Sequence, residues 1–112
     1  MCRKKKKITE IKEPYTTQMF IRDLEELLQI CVIEKEQLQN DSEDEYTVGV
    51  LNDLTIPELS KLKMLAEAGS LPPKGERWIS STGLIIDCWD ECPKEIEDRL
   101  FHLSDNYKNN LD

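Results

Sequence analysis

Thiols, indoles and one imidazole are the scarce reactive groups of this chain: Cys2, Cys31, Cys88 and Cys92, Trp78 and Trp89, and His102. The only close thiol pair is Cys88-x3-Cys92, whereas zinc sites are usually assembled from Cys-x2-Cys pairs with further cysteines or histidines. A metal or redox protein using Cys88 and Cys92 is therefore an alternative reading and not the leading one. Cys92 precedes Pro93, which marks the start of a helix, and a helix N-terminus favours a thiolate. Asp87, Asp90, Glu91 and Glu95 surround it in sequence, however, and neighbouring negative charge raises a thiol pKa. The expectation is an ordinary thiol. Cys31 lies in an apolar stretch and reads as a small buried hydrophobe.

The remaining catalytic groupings fail on spacing. His102 falls on the polar face of the last periodic segment, with no cysteine or serine adjacent in sequence as a nucleophile. With 23 acidic side chains in 112 residues, carboxylate pairs at helical spacing arise by chance. Gly49, Gly69, Gly75 and Gly83 never form a phosphate-binding loop, and Asn40 to Glu45 lacks the central glycine and terminal glutamate of a calcium loop. No catalytic residue and no cofactor is called for, and a non-enzyme is expected.

Charge carries more information. The net charge is −8, but five of the fifteen basic residues sit in Arg3-Lys4-Lys5-Lys6-Lys7, so residues 8 to 112 hold ten basic against 23 acidic groups, a net of −13. One acidic run is Asp41, Glu43, Asp44 and Glu45; another is Asp87, Asp90, Glu91, Glu95, Glu97 and Asp98. Nucleic acid readers present a basic face to phosphates, so direct nucleic acid binding by the folded body is not expected. The leading expectation is a small acidic protein-interaction module, a regulator or inhibitor. It would dock Asp41, Glu43, Asp44, Glu45, Asp90, Glu91, Glu97 and Asp98 on a basic surface of a partner protein and so occlude a nucleic-acid-binding groove. Trp78 and Trp89 are candidate interface aromatics. A second alternative is a peripheral membrane adaptor, with Cys2 lipidated beside Lys4 to Lys7 as the two signals that stable anchoring needs.

The elements that would position these groups follow from periodicity. Residues 1 to 12 read as a basic, solvated arm, and 13 to 112 as one compact domain. Phe20, Leu24, Leu27, Cys31 and Leu38 predict an amphipathic helix from Thr16 or Thr17 to Gln39, with a strand start at Ile30-Cys31-Val32-Ile33 as the competing reading. Tyr46-Thr47-Val48-Gly49-Val50-Leu51 predicts a strand. Thr55-x-x-Glu58 reads as a capping box opening a helix that Gly69 closes. Arg77-Trp78-Ile79 and Leu84 to Trp89 around Ser80-Ser81-Thr82-Gly83 predict a hairpin, and Ile96, Leu100, Leu103 and Tyr107 a last helix from Pro93. The fold expected is α+β, a small antiparallel sheet of strand plus hairpin packed against about three helices. No apolar run approaches the ~20 residues of a membrane span, Ile8-Thr9-Glu10 is no signal-peptide core, and four scattered cysteines suit a reducing compartment, so a cytoplasmic location is expected.

Overall fold

The computed structural model describes residues 14–41 and 45–111, with Asp41 described in its backbone alone. The basic arm, Glu43 and Asp44 lie outside the described residues. Four helices are formed by the described residues: α1 (Thr17–Asp41), α2 (residues 45–67), α3 (Ser80–Asp87) and α4 (Lys94–Asp105), the last continued by a π turn at Asn106–Asn110. Among the described residues there is no strand, only an isolated parallel bridge between Tyr15 and Leu111. The α+β expectation is thus corrected to an all-helical globule.

α1 follows the spacing of its apolar residues. The Thr16 hydroxyl accepts the Met19 amide at 3.2 Å, the side-chain cap expected of a threonine at a helix start. Phe20, Leu24, Leu27 and Cys31 are buried along one stripe. The β-branched pair that argued for a strand, Val32 and Ile33, points outward at 37% and 48% exposure, while Cys31 beside them stays on the buried stripe.

The predicted strand at residues 46–51 is instead the first half of α2. Segment Glu45–Val50 runs through a π turn, Leu51–Thr55, into Ile56–Glu67 without interruption. Thr47, Val50, Leu51, Thr55, Leu59, Leu62 and Ala66 are buried, and those steps of three and four residues are helical. The π turn explains how Pro57 can lie inside a continuous helix. A proline ring collides with the carbonyl four residues back, and the wider turn, in which the Ile56 amide reaches Leu51 O, opens the backbone just ahead of it. Gly69 closes α2 at φ 71°, with the Ser70 amide on Leu65 O and the Gly69 amide on Ala66 O, the paired bonds of a Schellman motif.

The predicted hairpin is also a helix. Arg77 to Ile79 is extended, with φ/ψ of −82°/133° at Arg77 and −119°/112° at Ile79, and it leads directly into α3. A capped helix start replaces the turn because the first two amides of α3 are satisfied by Glu58, as described below. α4 buries Ile96, Leu100 and Leu103 and its π turn buries Tyr107, the face the spacing predicts. Tyr107 stacks on Phe20 of α1 at 5.0 Å between centroids, and Tyr15 meets Phe20 edge-on at 6.4 Å.

Candidate interaction surfaces

Two acidic segments that are 42 residues apart in sequence meet at one end of the molecule. The Trp89 indole N–H donates to the Thr47 hydroxyl at 3.1 Å, and Tyr46 Oη lies 3.7 Å from Cys88 Sγ. These contacts fasten the start of α2, where Glu45 is exposed, to the α3–α4 connection, where Asp90 and Glu91 are exposed. The Tyr46 phenol pKa is raised, first by its bond to the Cys88 thiol, then by partial desolvation and the negative charge of Cys88 and Asp90. Asp98 is exposed and pairs with Lys94 at 3.3 Å, while Glu97 is half-buried, close enough to Cys92 to act on its thiol. Asp41, Glu43 and Asp44 fall outside the described side chains, so these contacts bring together Glu45, Asp90 and Glu91, while Glu97 and Asp98 lie on α4.

The two tryptophans have opposite fates. Trp89 is 1% exposed and belongs to the core, whereas Trp78 is 59% exposed. Trp78 is nevertheless held in place. A Cβ on Gly83 would stand 2.8 Å from Trp78 Cζ2, so the indole packs this closely on α3 only because position 83 has no side chain. On one side of the indole a cleft of about 460 Å³ runs past Leu54, Leu62, Leu65, Pro72 and Tyr107. On the other side, a hollow of about 490 Å³ is walled by Leu54, Leu84 and Ile86, the last 71% exposed. Asp53, Glu58 and Glu76 against the single base Lys61 give the first cleft an acidic rim. Sequence periodicity misses this surface, because Leu84 to Ile86 reads as part of a hairpin strand and no local spacing brings it beside Leu54.

Two polar side chains hold the cleft walls. The Glu58 carboxylate accepts the Ser80 and Ser81 amides and the Ser81 hydroxyl at 2.5, 3.1 and 3.0 Å, and Ser81 Oγ in turn meets Thr55 Oγ1 at 2.9 Å. Arg77, 8% exposed, donates to the carbonyls of Pro72, Tyr107 and Leu111 at 3.0, 2.9 and 2.6 Å.

Cys31 and Cys92 are placed for packing. Burial first, then the charge of Glu34, pushes Cys31 up to about 12, and burial followed by the charges of Glu97 and Cys31 pushes Cys92 up to about 12. Cys88 is exposed beside Tyr46, and no group of three or more metal-binding side chains comes together among the described residues. Cys92 is therefore expected to alkylate with iodoacetamide at pH 8 far more slowly than a free peptide cysteine, whose thiolate fraction there is about a quarter. A rate equal to the peptide's, followed by mass spectrometry of the Cys92 peptide, would show the thiol to be unprotected. Because the folded pKa values are raised, the unfolded chain loses these protons first, so the contribution to stability is complete below about pH 8.5 and fades as pH rises from there toward 12.

No protein-family model, no curated protein and no solved structure matches the chain.

Proposed function

We propose that this chain is a non-catalytic protein-interaction module that docks its acidic end on the basic surface of a partner protein, acting there as a regulator or inhibitor. The observation that carries the reading is the fastening of Glu45 to Asp90 and Glu91 through Thr47–Trp89 and Tyr46–Cys88. Acidic groups scattered over a solvated surface need no explanation, but these are held together by one buried and one exposed contact, with a body charge of −13 behind them. Such a field raises the association rate with a basic partner and makes binding salt-sensitive. A basic groove that normally holds nucleic acid is the kind of surface this end would cover. No helix among the described residues is long and apolar enough to cross a membrane. The free thiols of Cys31, Cys88 and Cys92 suit a reducing cytoplasm.

The test uses charge reversal away from the core. Asp98 is exposed and Glu97 half-buried on α4, so Glu97→Lys with Asp98→Lys alters the field with little effect on packing. With a captured partner, the double reversal is expected to weaken binding at least tenfold at low ionic strength and to flatten its dependence on salt. Unchanged affinity and an unchanged salt slope, in a variant whose unfolding midpoint is also unchanged, would overturn the docking of this end.

A further inference from the structure

We propose that the cleft beside Trp78 binds a short segment of a partner protein in which apolar side chains are flanked by lysine or arginine. The inference does not rest on the acidic-end reading, since none of Glu45, Asp90, Glu91, Glu97 and Asp98 lines this surface. It starts from exposed apolar area. Trp78 and Ile86 are 59% and 71% exposed, and Leu54 walls the hollows on both sides of the indole. An apolar patch with a polar rim marks a place where a small protein binds something.

The surface is held ready before anything binds. Trp78 packs against Gly83 and sits between the buried Ile79 and Arg77, whose guanidinium is tied to three carbonyls, so the indole projects from a fixed piece of backbone. A fixed aromatic loses little freedom on binding, which is one reason tryptophan dominates interface hot spots. Both π turns among the described residues also border the cleft. Leu51–Thr55 contributes Asp53 and Leu54, and Asn106–Asn110 contributes Tyr107. Such turns are rare and recur at functional sites. Charge then selects the occupant. Asp53, Glu58, Glu76 and Asp87 surround the two hollows against Lys61 alone. That rim repels the phosphates of nucleic acid and of anionic lipid, and a second copy seated through the same face would set acid against acid. A peptide with lysine or arginine beside its apolar residues satisfies the apolar floor and the rim together. The basic side chains also cover apolar surface with their stems, and a guanidinium can stack on the indole.

The probe is a library of random short peptides displayed on phage and selected on the full chain, with the Trp78→Ser chain used to discard sequences that bind elsewhere. The selected sequences are expected to combine apolar residues with lysine or arginine. A synthetic peptide of one such sequence is expected to move the Trp78 emission to the blue as the indole is covered, Trp89 being buried already. Asp53→Lys with Glu76→Lys, at two exposed positions that leave the Glu58 bonds intact, is expected to weaken this peptide about tenfold and to flatten its salt dependence. The circular dichroism signal and urea midpoint of that variant should stay unchanged. Glu97→Lys with Asp98→Lys is expected to leave the peptide bound through Trp78, which separates this site from the acidic end. Selection of nothing beyond what the Trp78→Ser chain also binds would overturn the proposal. So would selected sequences without basic residues, or equal affinity for the chain reversed at Asp53 and Glu76. A blue shift that grows with chain concentration alone, with a dimer in sedimentation, would overturn it in favour of a second copy.

Discussion

Arg77→Met is expected to lower the free energy of unfolding by about 3 kcal/mol, seen as a lower urea midpoint at unchanged slope. Arg77 is the buried cation that joins three pieces of backbone. Nε donates to Pro72 O in the loop before α3, and one guanidinium nitrogen donates to Tyr107 O and Leu111 O at the end of the chain's last helical turn. The guanidinium carbon also stands 5.3 Å from the Tyr107 ring centroid. Carbonyls at a helix C-terminus have no intrahelical donor, and a cation there also meets the negative end of the helix dipole. Hydrogen bonds from charged donors contribute about 1.5 to 3 kcal/mol each, but they share one side chain and do not add. Methionine fills part of the volume and supplies no donor, leaving the Tyr107 and Leu111 carbonyls short of a partner. Arg77→Lys should recover only part of the loss, because a single ammonium cannot reproduce the planar fork toward both sides. A loss below about 1 kcal/mol for Arg77→Met would mean that water replaces the guanidinium without penalty.

How much of this was legible depended on whether an element carried its own evidence. α1 and α4 did, because each repeats apolar residues over three or more turns, and Gly69 marked a helix end by a requirement that few other residues meet. The first half of α2 and the whole of α3 did not. Residues 46–51 and 84–86 are short runs dominated by Val, Ile, Leu, Tyr and Thr, and a run of six or fewer fits a strand or a buried helix face equally well. The phase became clear only when Thr47, Val50 and Leu51 were continued through the π turn to Leu59 and Leu62, and Pro57 hid that continuity by looking like a start. The acidic composition was readable by counting, but the meeting of Glu45 with Asp90 and Glu91 required the tertiary pair Thr47–Trp89. Nothing in the local sequence separates Trp78 from Trp89, one outside and one inside, since that difference is made by what α1 and α2 leave uncovered.

The most instructive misreading is Glu58, and it yields the second large expected effect. In a capping box Glu58 would turn back to the amide of Thr55, and Thr55 would close the start of its own helix. Instead Thr55 has helical angles of −65° and −51° and makes no side-chain cap bond, because the helix is already running when it reaches that residue. Its hydroxyl is buried against Ser81, and Glu58 projects sideways to accept the first two amides of α3. The cap is thus supplied by another helix, 22 residues away in sequence. Replacing a helix cap costs about 0.5 to 2 kcal/mol, and a charged acceptor at a helix N-terminus adds roughly 0.3 to 1 kcal/mol through the dipole. The buried Ser81 hydroxyl also loses its acceptor, so Glu58→Ala is expected to cost about 2 to 3 kcal/mol, and Glu58→Gln, which keeps a neutral acceptor, about half of that. Hydrogen exchange locates the effect. The amides of Ser80 and Ser81 should open in Glu58→Ala while those of residues 55–58 keep their protection, and the reverse pattern would restore the local capping box. Trp78 provides an independent readout, since it rests on Gly83 within α3 and its emission should shift to the red when that helix is released from α2.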